Sequence, residues 1–150
     1  MRLVVQRVKK GEVILRQAQD KKDSVVGRIG KGYFVLVGVK KGDTEKNAEA
    51  LAEKLSKLRV MADKEDKMNL SVKDIAGEIL VVSQFTLYAD ISGGNRPSFI
   101  QAAEPETAKK IYEHFVSQLR GKGIKVETGS FGDYMEISVE LNGPVTILLE

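Results

Sequence analysis

The stretch EISVELNGPVTILLE, residues 136–150, decides the fold because it is strand-like on both sides of a Gly-Pro step. Every second residue from 137 to 141 is apolar, and an apolar run follows the step; the alternation is typical of a half-buried strand. Proline cannot donate to a sheet ladder and is normally excluded from strand interiors. The stretch therefore predicts two strands, 133–141 and 145–149, joined by a turn.

The whole chain has the size and composition of one globular domain. It has 150 residues, of which 42% are hydrophobic and 30% charged. No apolar run approaches the roughly 20 residues that a membrane-spanning helix needs. The first residues also lack the layout of a signal peptide. We therefore expect a single domain over residues 1–150, without a membrane partner and with a cytoplasmic location.

The N-terminal part of the sequence is rich in strand-forming residues. Residues 2–8 and 12–16 are dominated by Val, Ile and Leu and predict two strands. The polar residues 17–23 between them and the next strand predict a hairpin loop. Residues 24–39 predict two strands interrupted by glycines. The second of these, 33–39, is nearly all apolar, which predicts a central strand covered on both faces.

Two stretches, 43–60 and 104–123, carry apolar residues at helical spacing. Asp43 or Thr44 can cap the first helix, and Pro105 suits the first position of the second. Each stretch therefore predicts a helix with one apolar face.

Strands and loops fill the rest of the chain. We expect a loop over 61–78 with a brief ordered stretch at 68–72, and a buried strand beginning the segment 79–90. A turn-rich loop (91–98) and a strand at 124–128 complete the set. The element order β-β-β-β-α-β-α-β-β-β indicates an α+β domain in which two helices cover mainly antiparallel β-sheets.

The inventory of reactive side chains is small. The chain has no cysteine, which excludes disulfides, thiolate metal sites and cysteine nucleophiles. Its one histidine, His114, is placed by the helical periodicity away from the apolar face, so we expect it to face solvent. No metal site, nucleotide-binding loop or cofactor motif is predicted. The net charge of +3 allows an anionic partner but is too small to identify one.

Polar residues stand at the end of the predicted buried strand, where Ser83, Gln84 and Thr86 occur within four positions. Ordinary alternation would place these outside and Phe85 and Leu87 inside, and this pattern is common. Alternatively, the strand end presents backbone N–H groups and hydroxyls to a substrate, which can stabilise an oxyanion without a histidine. The residues alone leave both interpretations open.

Two glycine-containing segments raise a similar choice. Arg96, within residues 93–99, is either a solvated loop charge or a ligand for phosphate or carboxylate. Residues 129–135 are glycine-punctuated and are compatible with a plain turn before a strand.

Six ordered segments of the chain together resemble the D-aminoacyl-tRNA deacylases, and the resemblance extends from residue 1 to about residue 149. The segments are MRLVVQRV (1–8), KMNLSV (67–72), SQFTL (83–87), RPSF (96–99), FG-x-x-M (131–135) and GPVT (143–146).

The resemblance implies hydrolysis of the ester that joins a D-amino acid to the 3′ end of tRNA, and removal of glycine mischarged onto alanine tRNA. It also implies a homodimer in which a cis Gly-Pro step enters the partner's active site and excludes an L side chain. Gly143 and Pro144 match this step, and Arg7 matches the arginine that holds its loop. Phe131 and Met135 match the FG-x-x-M part of the substrate site.

The same resemblance assigns the catalytic segment to Ser83, Gln84, Phe85 and Thr86. It implies that the backbone N–H groups of Phe85 and Thr86 bind the oxyanion. Thr86 is one candidate nucleophile, and the 2′-hydroxyl of the terminal adenosine is the alternative activator of water. A chain without cysteine, with a solvent-facing histidine, favours the second, because Thr86 then has no base. No cofactor is implied.

Three departures from the family pattern stand out. Leu141-Asn142 precedes the Gly-Pro step where Asn-Asp is common, and Asp133-Tyr134 replaces a frequent Ala-Asp. Asn tolerates turn geometry, so we expect the loop to survive. Tyr134 is expected to alter the rim of the pocket or the adenosine contact. Residues 15–24 are longer than the usual hairpin and indicate a tolerated surface insertion.

Three functions from different classes fit these observations: an ester hydrolase, an RNA-binding dimer without turnover, and a purely structural dimer. The presence of both SQFTL and GPVT favours the hydrolase. A binding module would be expected to show an aromatic or basic RNA face. Aromatic residues make up only 6% of the chain, so that signal is missing.

Overall fold

The structure, a computed structural model, describes residues 1–15 and 24–150. The predicted hairpin loop at 17–23, and most of the insertion at 15–24, lie outside the described residues. A single 3₁₀ turn, Phe85–Tyr88, follows the sixth strand. The strands and helices in chain order are β1 (Arg2–Leu15), β2 (Ser24–Ile29), β3 (Gly32–Gly38), α1 (Glu45–Lys57), β4 (Met61–Ala62), β5 (Met68–Leu70), β6 (Glu78–Ser83), α2 (Pro105–Gly121), β7 (Lys125–Thr128) and β8 (Met135–Leu149).

Strand β1 organises the sheet because it pairs with three other strands. Its first half, residues 2–8, is antiparallel to β3, and residues 11–15 are antiparallel to β2. Along its other edge it pairs with β8, from Leu3 opposite Leu149 to Leu15 opposite Met135. The two predicted N-terminal strands are therefore one continuous strand, and so are the two predicted C-terminal strands.

The prediction of mainly antiparallel sheets is confirmed only in part. The pairs β1–β2, β1–β3, β1–β8 and β4–β5 are antiparallel, but β3, β6 and β7 run parallel. The reason is that α1 lies in the connection from β3 to β6, and α2 in the connection from β6 to β7. A helical crossover of this kind returns the chain to the same end of the sheet, which makes successive strands parallel.

Strand β3 is covered on both faces, as its apolar sequence predicts. Tyr33, Val35 and Val37 belong to the core cluster that also contains the apolar faces of α1 and α2. Phe34 belongs to a second cluster on the opposite face. Side chains of β8, among them Ile137, pack against this second cluster. Strand β8, which belongs to the same sheet, therefore covers one face of β3, while the two helices cover the other face.

The two helices begin where the sequence predicts. Thr44 precedes α1, and its N–H donates to Asn47 Oδ1 at 2.8 Å. Pro105 is the first residue of α2. The expectation that His114 faces solvent is confirmed only in part, because its side chain is 25% exposed while its Nε2 lies 2.9 Å from Glu49 Oε1. The histidine links α2 to α1, since Glu49 belongs to the facing helix.

In the described residues, no helix combines the length and the apolar character that crossing a bilayer requires.

The Gly-Pro step lies in a bulge of β8. Gln6 pairs with Thr146 and Val8 pairs with Leu141, so a single residue of β1 stands opposite four residues of β8. Bulged residues leave the hydrogen-bond ladder. This explains why proline is tolerated between two halves of one strand: its position needs no ladder N–H.

Gly32 allows the closest backbone approach in the parallel part of the sheet, and its replacement tests the β3–β6 junction. A Cβ added at Gly32, where φ is +156°, would lie 1.7 Å from the carbonyl oxygen of Glu78. Since backbone must move to relieve this overlap, Gly32→Ala should lower the free energy of unfolding by about 3 kcal/mol or more. Denaturant unfolding followed by circular dichroism measures this change.

Gly93→Ala is the matched control, because nothing lies within 4 Å of an added Cβ there. We expect the midpoint of its denaturant unfolding to stay close to that of the wild type. Equal stability of the Gly32 and Gly93 variants would contradict the close approach.

Candidate active site

A cavity of about 680 Å³ opens where β6 ends, between the segment that precedes α2 and the start of β8. Its volume lies within the range of roughly 300–1,000 Å³ that is usual for ligand pockets. Five of the predicted site residues line this cavity: Ser83, Gln84, Phe85, Phe131 and Met135.

The end of β6 passes into the 3₁₀ turn Phe85–Tyr88 beside the cavity. The Gln84 N–H donates to the Val37 carbonyl at 2.8 Å, which fixes the last position before the 3₁₀ turn. The first N–H groups of a helical turn have no acceptor within it, and the Gln84 side chain makes no capping bond. The N–H groups of Phe85 and Thr86 are at the start of this turn and have no acceptor within it.

Ordinary strand alternation does not continue past Ser83. That pattern places Phe85 inside, but the chain turns after Ser83 and leaves the Phe85 side chain 55% exposed. Of the two interpretations of this segment, alternation is therefore wrong.

Thr86 is exposed and is not among the residues that line the cavity. Its hydroxyl accepts a hydrogen bond from the Gln84 side-chain amide. Within the described residues, no histidine, carboxylate or amine contacts this hydroxyl. An amide N–H donates and removes no proton, so the described part of the chain offers this hydroxyl no base of the kind that a hydroxyl nucleophile needs.

The far wall of the cavity is anchored in the core. The Phe131 ring lies 5.7 Å from the Tyr112 ring, and the Tyr112 hydroxyl donates to the Val81 carbonyl at 2.9 Å. Burial raises the pKa of Tyr112 above its ordinary range, so the phenol stays a donor. Met135 Sδ accepts from the Ser130 N–H at 3.3 Å. These contacts hold the two predicted wall residues in place.

The lining carries little charge. Two carboxylates, Glu104 and Asp133, belong to it, and no arginine, lysine or histidine does. Asp133 accepts a hydrogen bond from the Ser130 hydroxyl. In the described part of the chain, no group of three or more His, Asp and Glu side chains is placed to hold a metal ion.

Arg7 fixes the bulge of β8 through carbonyl groups. Its Nε donates to the Asn142 carbonyl at 3.0 Å and its Nη1 to the Val60 carbonyl at 2.8 Å. Burial raises the pKa of nearby Tyr33 to about 12, although the charge of Arg7 opposes that rise. Tyr33 is therefore neutral near pH 7, and backbone oxygens rather than an anion hold the guanidinium.

Gly143 and Pro144 project from this bulge and are exposed. The peptide bond between them is cis, as the resemblance implies. Gly143 has a φ of +124°, which favours glycine, and an added Cβ would lie 2.9 Å from Arg7 Nη2. The guanidinium thus packs directly against the glycine.

The structure brings the predicted site residues together in two separate places. Ser83, Gln84, Phe85, Phe131 and Met135 meet at the cavity, with Thr86 beside it. Gly143 and Pro144 of the bulge, and Arg7, which holds the bulge, do not line that cavity.

Two contributors were missed by sequence reasoning. Phe99 lines the cavity and packs edge-on against Phe85, with ring centroids 5.0 Å apart. Its RPSF segment is one of the six that resemble the family, and this is the signal that the sequence carries for it. Val60 accepts from Arg7 through its carbonyl, which any residue type can supply, so the sequence carries no signal for it. Arg96 donates to no protein oxygen within the described residues.

Comparisons with known proteins match the whole chain. The family model described as D-Tyr-tRNA(Tyr) deacylase matches residues 4–150. Relatives named D-aminoacyl-tRNA deacylase are 54% identical in Thermotoga petrophila, 52% in Thermosipho melanesiensis and 50% in Aquifex aeolicus. Each alignment covers 100% of this chain and 97% of the relative.

Two solved structures share the fold. The protein described as c-Myc DNA Unwinding Element Binding Protein superposes with a TM-score of 0.89 at 39% identity, covering 100% of this chain and 98% of that one. A probable eukaryotic D-amino acid tRNA deacylase has a TM-score of 0.80, at 18% identity and with 99% and 97% covered. Because the family model matches residues 4–150 and the relatives align over the whole chain, the chain belongs to the D-Tyr-tRNA(Tyr) deacylase family.

Proposed function

We propose that the chain hydrolyses the ester of D-aminoacyl-tRNA to free D-amino acid and tRNA, and spares the L-ester. Deacylase activity follows from family membership, and chiral selection is the further step. The observation that carries the proposed hydrolysis is the joint placement of Ser83–Phe85, Phe131 and Met135 around one cavity.

The chemistry proposed for this cavity rests on hydrogen-bond donors. As water attacks the ester carbonyl, negative charge develops on its oxygen, and the N–H groups of Phe85 and Thr86 would bind that charge. Loss of one such donor typically lowers the rate by about 10²–10³-fold. The 2′-hydroxyl of the terminal adenosine would activate the water, because the Thr86 hydroxyl hydrogen-bonds within the described residues only to the Gln84 side-chain amide.

Glycine carried by alanine tRNA is a second proposed substrate. A filter that rejects an L side chain has nothing to reject in glycine, so glycyl esters should pass. The proposed reaction uses no cofactor. A cytoplasmic location stays a prediction.

We further propose a homodimer in which the bulge of one chain enters the cavity of the other. Met135, in the cavity wall, and Gly143, in the bulge, lie eight residues apart on β8. At about 3.3 Å per residue, an extended strand separates them by roughly 25 Å. A rigid strand cannot bring its own bulge to its own cavity, whereas a second copy can.

The exposed edge of β8 supports this assembly. Within the described residues β8 pairs with β1 alone, so its other edge is open. Leu141 and Leu148 of the same strand are 44% and 57% exposed. In the dimer, the carbonyls of Gly143 and Pro144 would occupy the space that an L side chain needs.

Purified protein incubated with D-tyrosyl-tRNA and, separately, with L-tyrosyl-tRNA tests the proposed activity. We expect rapid release of D-tyrosine and an L-ester that decays at its uncatalysed rate. Released amino acid, separated by chromatography, is the measurement. Equal slow loss of both esters would overturn the proposal, and tight tRNA binding with no release would identify a binding module instead.

The role of Thr86 is tested by Thr86→Ala. Because no base contacts its hydroxyl, we expect deacylation of D-tyrosyl-tRNA to fall by less than about tenfold, rather than the loss expected for a nucleophile. Thr107→Ala, on the exposed surface of α2, is the control. A substrate ending in 2′-deoxyadenosine should be almost inert, and complete inactivity of Thr86→Ala would assign catalysis to the threonine.

The dimer is tested by Leu148→Lys, which places a charge on the exposed apolar surface of β8. We expect a folded monomer in analytical ultracentrifugation, with deacylation reduced at least about tenfold because a buried unpaired charge opposes association. Met68→Lys, at a residue that is 59% exposed on β5, should stay dimeric and active. A fully active monomer would refute the cross-subunit arrangement.

A further inference from the structure

The exposed aromatic side chains of the chain all lie on one cavity. Of its nine Phe and Tyr residues, three are exposed: Phe85 at 55%, Phe99 at 39% and Tyr134 at 76%. Each of the three lines the cavity at the end of β6. A large ring in water forfeits burial energy, so three rings around one opening indicate a surface that a ligand covers.

Tyr134 differs from the other two rings because it has no partner. Phe85 and Phe99 contact each other edge-on, with an interplanar angle of 71°. Within the described residues, Tyr134 makes no ring contact and no hydrogen bond. It stands beside the wall residue Met135, and its ring is the most exposed of the three.

The substrate assigned under the proposed function offers a match for such a ring. The 3′ end of tRNA is single-stranded, and unpaired bases are commonly recognised by stacking on aromatic side chains. We infer that Tyr134 is a specificity residue that stacks on a nucleobase of this 3′ end, either the terminal adenine or the base before it. The inference rests on the proposed function.

The charges at the rim indicate where the phosphates of the bound RNA would lie. Glu104 and Asp133 line the cavity and repel phosphate, so the phosphates must lie outside it. Arg96 is on the loop that carries Phe99, and backbone bonds of 2.8 and 2.9 Å between Asp90 and Ser98 close that loop.

The guanidinium of Arg96 is available for this strand. In the described part of the chain there are six arginines, and the other five all donate to a protein oxygen. Arg96 is thus free to bind a phosphate. The bases of the RNA would face the rings of Phe85, Phe99 and Tyr134, while its sugar-phosphate backbone would pass Arg96.

Kinetics of Tyr134 variants test the inference. Tyr134→Ala should lower kcat/KM for D-tyrosyl-tRNA at least about fivefold, mainly by raising KM, since stacking contributes about 1–3 kcal/mol per base. Tyr134→Phe keeps the ring and should retain at least half of the wild-type value. Wild-type kinetics for the alanine variant, or failure of phenylalanine to rescue, would overturn the assignment.

A minimal substrate separates the two candidate bases. With 3′-O-D-tyrosyl-adenosine, an equal loss for Tyr134→Ala places the ring on the terminal adenine. A loss confined to the tRNA substrate places it on the preceding base. Both outcomes support stacking.

Fluorescence tests contact without turnover. The chain has no tryptophan, so Tyr134→Trp introduces a single indole that can be excited selectively over the remaining tyrosines, and stacking should quench its emission at least about twofold when uncharged tRNA is added. Met68→Trp, on β5 and 59% exposed, should stay unquenched. Absence of quenching at position 134 would overturn the inference. Because no ester is cleaved, this result is independent of whether the chain is a deacylase.

Discussion

The pairing of β1 with β8 is the constraint on which the two parts of the proposed site depend. It runs along nearly the whole of both strands and fixes Met135 at the cavity and the Gly-Pro bulge far from it. Because both lie on one hydrogen-bonded strand, local movement cannot bring them together. The same pairing leaves the other edge of β8 open. The distance between the bulge and the cavity and the open edge thus both arise from β8. Together they favour a site completed by two chains.

The proposed chemistry of the cavity depends on how backbone groups are placed rather than on reactive side chains. In the proposed reaction its donors are backbone N–H groups at the end of β6, and Arg7 holds the bulge through the carbonyls of Asn142 and Val60. Main-chain groups are independent of side-chain identity. A site of this kind suits a reaction in which the RNA supplies the activating hydroxyl and in which many different amino acids must be accepted.

Sequence reasoning predicted the helices and the buried strand β3 well, because capping residues and apolar spacing are local signals. It missed the parallel order of β3, β6 and β7, since which strands become neighbours is decided by the packing of α1 and α2 and not by any one segment. It also divided β8 at Pro144, although pairing with β1 resumes beyond the bulge. The grouping of Ser83–Phe85 with Phe131 and Met135 came from the family resemblance. No sequence pattern predicts the contact between Arg7 and the Val60 carbonyl.

Met135 gives the cavity a particular sensitivity to oxidants. The chain has no cysteine, and the thioether of Met135 lines the cavity while accepting from the Ser130 N–H. Conversion to the sulfoxide replaces a flexible apolar group with a larger polar one, and reductases can reverse that change. Oxidative stress would therefore act on the shape of the cavity, and a repair enzyme could restore it.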